Sequence, residues 1–274
     1  MKTNILGKKT PQNTSQKRGT RGVVSSLTGW SKSLFFAEKT MAYKWHTLGD
    51  DLLNLFWPRL CPGCTAPGLA SEALICLQCQ AHLPYTGHHH LLENAFTRRF
   101  WGRLPIESGA AMLTFSKGGR VQRLLHALKY RGRQDLGVYL GRIYGNMLAP
   151  ASGFADIACI LPVPLHPRRL QERGYNQSAC IAQGLSETMG VPWSGQHLRR
   201  VQQTTTQTHK SRVGRFDNVG SAFALENPLA LEGKNILLVD DVLTTGATLE
   251  ACGSLLLQVP GLRLSLATLA MAAD

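Results

Sequence analysis

The sequence has 274 residues, of which 43% are hydrophobic and 17% are charged, and its formal net charge is +13. This length and apolar content suffice for one large domain plus a small one, and the charge favours an anionic partner. No run approaches the ~20 apolar residues of a membrane-spanning helix, and the N-terminus lacks the apolar segment of a secretory signal, so we expect a cytoplasmic protein.

Residues 1–40 are rich in Lys, Arg, Ser, Thr and Gly and show no sustained periodicity. They hold eight Lys and Arg against Glu38 alone, about half of the net positive charge. Three interpretations stay open: a disordered basic extension, an organelle transit peptide, and a segment upstream of a true start at Met41. We favour the third, because an amphipathic helix is predicted from Met41. We place a helix and cysteine module at 41–95 and the main domain at 96–274.

Four of the seven cysteines form two C-x₂-C knuckles separated by eleven residues. Each knuckle turns two thiolates toward one point, so two knuckles predict tetrahedral four-sulfur zinc ligation over redox disulfides or free thiols. All four positions are filled by protein, which predicts a structural zinc and not a catalytic one. The predicted ligands are Cys61, Cys64, Cys76 and Cys79.

The next segment predicts a strand over 104–115 and two helices, VQRLLHALKY and DLGVYLGRIYGNMLA, joined by a KYRGR turn. The three cations of this turn are either ordinary helix-end cations, which suit the helix dipole, or part of an anion site, and the sequence leaves this open. They are Lys129, Arg131 and Arg133. Upstream, His88–His90 are interpreted as a solvated loop without a role.

A second buried strand is predicted over 156–163, followed by the basic sequence PLHPRRLQERGYNQ. Pro164 and Pro167 argue against a continued strand or helix, so this sequence is predicted as a loop, ending at a helix capped by Asn176. Its cations are Arg168, Arg169 and Arg173. A basic loop at the carboxyl end of a strand lies where open α/β sheets bind ligands. We therefore favour anion contact over a solvated loop.

Residues 198–223 are polar, basic and poor in apolar periodicity. A stretch of this length without secondary structure inside a domain is usually functional or mobile. It is either a plain surface loop or a lid that brings Lys210, Arg212 or Arg215 over a phosphate.

The stretch ILLVDDVLTTGATL, residues 236–249, joins a predicted buried strand to a predicted helix. Asp240 and Asp241 lie where the strand is expected to end, and small residues follow. Such a turn directs free N–H groups and the positive end of the helix dipole at one point, which suits a phosphate, while the carboxylates suit sugar hydroxyls. Together they indicate a ribose 5-phosphate. A buried strand before an Asp-capped helix, without a ligand, is the alternative.

This stretch resembles the phosphoribosyl pyrophosphate (PRPP) signature of type I phosphoribosyltransferases. Because every position of the turn matches, we favour the ligand site over the alternative. The resemblance implies that Asp240 and Asp241 hold the ribose 2- and 3-hydroxyls. It implies that the following turn holds the 5-phosphate through Thr244, Thr245, Gly246, Ala247 and Thr248.

Over roughly residues 57–270 the chain resembles the ComF family of phosphoribosyltransferase-like proteins. The motifs, in the family's order, are the paired knuckles, ALKYRGR, PVPLHPRRLQERGYNQ, TQTHKSR and LLVDDVLTTGAT. The resemblance implies an α/β fold of the type I phosphoribosyltransferase class, a central mainly parallel sheet flanked by helices, with a small N-terminal four-cysteine zinc module. It also implies a link to competence and to DNA uptake or utilisation.

The resemblance further implies Mg-dependent transfer of ribose 5-phosphate from PRPP to an acceptor that the motifs do not identify. Magnesium would neutralise the diphosphate leaving group, helped by protein cations. The diphosphate candidates are Arg168, Arg169, Arg173, Lys210, Arg212 and Arg215. Asp240 and Asp241 would be catalytic, fixing the sugar and helping to deprotonate the nucleophile.

Three hypotheses follow. The first is an active phosphoribosyltransferase that binds PRPP. The second is a nonenzymatic DNA-handling accessory or nucleotide-sensing scaffold, which predicts single-stranded DNA or a DNA-uptake helicase-like protein as partner. The third, a ligand-responsive regulator, ranks last because no helix-turn-helix pattern stands out. No motif fixes an oligomeric state.

Overall fold

The computed structural model of the protein describes residues 58–70, 72–201 and 222–273. The helices of these residues are α1 (Leu77–Ala81), α2 (Ala95–Arg98), α3 (Arg120–Tyr130), α4 (Gln134–Leu148), α5 (Pro167–Arg173), α6 (Gln177–Met189) and α7 (Ala247–Leu256). The strands are β1 (Ser108–Phe115), β2 (Cys159–Pro162), β3 (Leu198–Arg200), β4 (Phe223–Leu225), β5 (Asn235–Leu243) and β6 (Arg263–Ala272). Single turns of 3₁₀ helix occur at His88–His90, Ser152–Phe154 and Pro228–Leu231.

A four-stranded parallel sheet in the order β1-β6-β5-β2 forms the centre. A separate antiparallel pair, β3-β4, flanks residues 202–221, which lie outside the described residues. Since all four central strands are parallel, their carboxyl ends meet at one edge. The segments after β2 and β5 therefore share that edge, as the sequence predicts.

The apolar runs of β5 and β6 are buried on both sides, which is why they lack polar alternation. In β5, Leu237 and Val239 pack with the core formed by α3, α4 and α6, whereas Ile236 and Leu238 pack with the core that includes α7. Both faces of the sheet are thus covered by helices, which confirms the predicted α/β layering.

The structure corrects three local predictions. The strand predicted over 104–115 begins at Ser108, and His88–His90 form a 3₁₀ turn instead of a loop. The basic sequence after β2 contains α5, a seven-residue helix that begins at Pro167. The loop prediction was wrong here because a proline at the first helical position has no intrahelical N–H bond to lose and its φ suits a helix. Gly174 ends α5 in the left-handed conformation, with φ of 76°.

Within the described part of the chain, no helix is long and apolar enough to cross a membrane. The predicted domain boundaries at residues 40 and 95 stay predictions, and the helix expected from Met41 lies outside the described residues.

Candidate functional site

The candidate site lies where β5 extends beyond its neighbour β2. Pairing between these strands ends at Pro162 opposite Val239, whereas pairing of β5 with β6 continues to Leu243. Asp240 and Asp241 are the next residues along β5. The prediction that they lie at the end of the strand was wrong, because β5 continues to Leu243. At their position, however, the pairing with β2 has already ended. The carboxylates thus face a gap at the edge of the sheet.

The Asp240 side chain points toward helix α6. Its Oδ1 accepts hydrogen bonds from the buried Ser178 hydroxyl at 2.9 Å and from the Asp241 backbone N–H at 2.8 Å. Burial, together with the neighbouring Asp241 carboxylate, raises the pKa of Asp240 to about 7, although both hydrogen bonds oppose this shift. This carboxyl can therefore gain or lose a proton near neutral pH.

Asp241 points to the opposite wall of the gap. Its Oδ2 lies 2.9 Å from Nζ of Lys129, at the end of α3, and the two side chains are 14% and 25% exposed. Lys129, which the sequence leaves undecided, is thus brought to the carboxylate pair. The two carboxylates differ: one is hydrogen-bonded to a buried hydroxyl, and the other is paired with a cation.

Two arginines that follow helix α2 donate hydrogen bonds to backbone carbonyls of the turn after β5. Arg99 Nη1 donates to the Thr244 carbonyl and Arg103 Nη1 to the Thr245 carbonyl, both at 3.1 Å. In a trans peptide the N–H points opposite to the C=O. The N–H groups of Thr245 and Gly246 therefore point away from the arginines.

Gly246 is the N-cap residue that precedes helix α7, and its φ of 82° is left-handed. A Cβ at this position would also lie 3.2 Å from the Phe100 ring, so glycine meets both the backbone and the packing requirement. The first N–H groups of α7, starting at Ala247, lack intrahelical acceptors. Together with the positive end of the helix dipole, they make this turn suited to a phosphate.

A basic cleft of about 530 Å³ lies beside the carboxylates, between the end of α3 and helix α5. Of the predicted diphosphate residues, Arg169 and Arg173 line it together with Lys129. Arg168 instead pairs with Glu172 at 3.0 Å and, with Arg169, lines a neighbouring depression of about 380 Å³.

The other two cations of the KYRGR turn do not line the basic cleft. Arg133 pairs with Asp135 at 2.9 Å, and Arg131 is exposed at the C-terminal cap of α3. Gly132, between them, contributes to the lining of the cleft. The three cations of the predicted lid, Lys210, Arg212 and Arg215, lie outside the described residues.

The four knuckle cysteines converge, with their sulfur atoms all within 4.8 Å of one another. The Cys76 N–H donates to the Cys61 sulfur at 3.3 Å and the Cys79 N–H to the Cys76 sulfur at 3.4 Å. A Cβ at Gly63 would lie 2.9 Å from the Cys79 sulfur, so glycine permits this close approach. Four thiolates supported by backbone N–H groups fit a tetrahedral structural metal.

The thiol pKa values in this cluster diverge. Burial opposes ionisation of Cys61, but N–H groups directed at its sulfur lower its pKa to about 6. Burial and the neighbouring sulfurs raise the pKa of Cys79 above its ordinary value. One thiolate therefore forms readily, and a bound cation would stabilise the others.

Comparison with known proteins agrees with this geometry. Residues 176–273 match the model of the phosphoribosyl transferase domain. This match and the parallel sheet flanked by helices confirm the predicted fold class. The matched residues include Ser178 on α6, both carboxylates on β5, the turn that follows them, and α7.

Curated relatives match part of the chain. DNA utilization protein YhgH of Salmonella typhi is 37% identical over 138 residues, which is 49% of this chain and 60% of the relative. Competence protein F of Haemophilus influenzae is 39% identical over 98 residues, which is 35% of this chain and 43% of the relative. The chain thus spans less than two thirds of the length of these relatives.

Among solved structures, glutamine PRPP amidotransferase from B. subtilis, complexed with ADP and GMP, has 20% sequence identity and a TM-score of 0.35, over 52% of this chain and 30% of that one. Adenine phosphoribosyltransferase from Saccharomyces cerevisiae has 17% identity and a TM-score of 0.32, over 51% and 69%.

Proposed function

We propose that this chain, a phosphoribosyltransferase-like protein of the ComF family, binds PRPP with Mg²⁺ at the end of β5 and transfers ribose 5-phosphate to an acceptor. Its relatives are named for competence and for DNA utilisation, so we place the acceptor or its product in the handling of DNA. The supporting observation is the convergence of the Asp240–Asp241 pair with a turn whose carbonyls are held by Arg99 and Arg103.

In this proposal the turn 244–248 binds the 5-phosphate and the carboxylates bind the ribose hydroxyls. A carboxylate accepts hydrogen bonds from hydroxyls, and backbone N–H groups donate to phosphate oxygens, so the sugar phosphate is fixed at both ends. Fixing it leaves C1 and its diphosphate directed away from the turn. The basic cleft lined by Lys129, Arg169 and Arg173 is adjacent to the carboxylates and accepts the diphosphate.

Cleavage of the bond between C1 and the diphosphate leaves positive charge on the sugar and negative charge on the leaving group. Arg169 and Arg173 stabilise that negative charge. Mg²⁺ bound together with PRPP would supply further positive charge against the leaving group. Asp240, whose pKa is about 7, is suited to accept the proton of the attacking acceptor.

Calorimetric titration of PRPP with Mg²⁺ tests this function. Wild-type protein should bind, and the variant Asp240→Asn/Asp241→Asn should lose at least about tenfold in affinity, since each carboxylate contributes charge-assisted hydrogen bonds. Glu187→Gln is the matched control, because Glu187 is an exposed carboxylate on α6 paired with Arg142. No binding of PRPP by folded wild-type protein would reject the proposal.

The alternative function is a nonenzymatic DNA-handling accessory, favoured by the name of the YhgH relative and by the basic cleft. It predicts salt-dependent binding of a labelled single-stranded oligonucleotide that persists in Asp240→Asn/Asp241→Asn. Fluorescence anisotropy at increasing NaCl concentration separates the two functions. Nucleic-acid binding without any PRPP binding would favour the accessory.

A further inference from the structure

The basic cleft has two walls that are joined at its base and at its rim. One wall is the end of α3, with Lys129 and Tyr130, and the other is α5. At the base, the buried Tyr175 hydroxyl, just after α5, donates to the Leu128 carbonyl of α3. At the rim, the Arg173 guanidinium carbon lies 5.2 Å from the centre of the Tyr130 ring.

Charge pairing within the cleft leaves two arginines to face an anion. Glu172 is paired with Arg168, and Lys129 is paired with Asp241. Among the described residues, no carboxylate forms an ion pair with Arg169 or Arg173. The cleft therefore has a positive excess next to the carboxylate pair, as a diphosphate subsite requires.

Arg173 is held at two points, whereas Arg169 is exposed. Arg173 Nη1 donates to Oε1 of Gln177 at 2.7 Å, and Gln177 is buried. Tyr130 contacts the same guanidinium through its ring, and His126, one turn earlier on α3, packs on that ring with centroids 4.8 Å apart. An arginine fixed in this way loses less rotamer entropy when it binds a phosphate group.

The exposure of Tyr130 shows that the hydrophobic core does not account for its position. The residue is 64% exposed, so its ring gains little from burial, while the ring contacts His126 and Arg173. A flat aromatic face beside a guanidinium attracts that cation even at an exposed site.

We propose that Tyr130 is a positioning residue that fixes the Arg173 guanidinium for diphosphate binding in the basic cleft. The inference rests on the proposed function, because the diphosphate is that of PRPP. Tyr130 acts through Arg173 and does not itself bind the ligand. Its ring is the essential part, and its hydroxyl is dispensable.

The test measures the affinity of inorganic diphosphate, and of PRPP with Mg²⁺, for wild-type protein and four variants by calorimetry. Tyr130→Leu should weaken diphosphate binding about two- to fivefold, the range expected for an exposed cation–π contact. Tyr130→Phe keeps the ring and should bind as wild type. Arg173→Ala should weaken binding more strongly, and Tyr130→Leu added to Arg173→Ala should cause no further loss. Circular dichroism checks that each variant is folded.

The outcomes separate this inference from the proposed function. If Tyr130→Leu reduced the diphosphate affinity equally in wild type and in Arg173→Ala, the positioning role would be overturned. The ring would then act on the ligand directly and not through Arg173. Diphosphate binding that is unchanged in Tyr130→Leu, or absent in wild type, would also overturn it. A third outcome is that Tyr130→Leu weakens diphosphate binding as expected, while Asp240→Asn/Asp241→Asn binds PRPP as tightly as wild type does. In that case the proposed function fails and the positioning role of Tyr130 stands.

Discussion

Ionisation of the Asp240 carboxyl destabilises the folded protein. Its folded pKa of about 7 lies above the ordinary value near 3.8, so the folded protein binds this proton more tightly than the unfolded chain. Protonation of Asp240 therefore contributes to the free energy of unfolding. This contribution is fully present below about pH 3.8 and is lost as the pH rises through 7. Asp240→Asn should remove this dependence, because Asn Oδ1 can still accept from Ser178 and from the Asp241 N–H.

We therefore expect Asp240→Asn to be more stable than wild type at pH 8, on the order of 1–3 kcal/mol, and close to wild type at pH 4. Urea unfolding at pH 4, 5, 6, 7 and 8 measures the difference. Glu187→Gln should show no such pH-dependent gain. Parallel stability curves for wild type and Asp240→Asn would contradict the elevated pKa.

The residues that the sequence could identify are those whose chemistry is local. Asp240, Asp241 and the turn after them lie within one strand–turn–helix unit, so their pattern appears in a single stretch. Lys129, Ser178 and the two arginines behind the turn belong to other elements, and only the fold brings them together. Arg99 and Arg103 lie in turn residues after a short capped helix, and their place in the sequence does not reveal what they contact.

The backbones of helices α4 and α6 lie in close contact at their crossing. A Cβ at Gly184 would lie 2.8 Å from the Arg142 N and 2.9 Å from the Gly141 carbonyl carbon, and closer still to the Val138 carbonyl oxygen. These are backbone atoms, which cannot move aside as a flexible side chain can. The close approach fixes α6, and α6 carries Ser178 to Asp240.

Gly184→Ala should therefore destabilise the protein by about 2 kcal/mol, even though alanine favours a helix by about 1 kcal/mol. Urea unfolding measures this change in free energy. The matched control is Gly195→Ala, because a Cβ there meets only ordinary contacts at 3.8 and 3.9 Å, so its change should stay within about 0.5 kcal/mol. A neutral or stabilising Gly184→Ala would show that the helices separate easily.

The positions of helices and strands could be predicted where the apolar periodicity was strong. The residues at which an element begins or ends were harder to predict. Periodicity located α3, α4 and α6 and the buried runs of β2, β5 and β6. It could not show that β5 continues through Asp240 to Leu243, because that extension depends on pairing with β6 after β2 has ended. It also could not show that Pro167 begins a helix, which depends on tertiary contacts of a short segment.

The cysteine cluster is part of the same apolar core that supports β5. Cys61 and Cys79 are buried in one cluster with Leu124, Leu237 and Val239. Arg123 Nε of α3 also donates to the Gly63 carbonyl at 2.7 Å. Loss of order at the knuckles would therefore reach α3, whose last turn holds Lys129 and Tyr130. A metal bound by these cysteines would therefore stabilise the core that contains α3 and β5 and not only the cysteine module.

We expect purified protein to contain one zinc per chain, measured by elemental analysis. Cys64→Ser should lose most of that zinc and lower the melting temperature by roughly 5–10 °C, as would a chelator, because removal of one ligand leaves three thiols without their cation. Cys159→Ser, a cysteine at the start of β2 outside the cluster, should retain full zinc. A metal-free wild-type protein of unchanged stability would instead favour four thiols held by the fold alone.

The PRPP affinity of Cys64→Ser measures whether the cysteine cluster also supports the basic cleft. Since α3 connects the knuckles to this cleft, we expect the affinity for PRPP to fall together with the melting temperature.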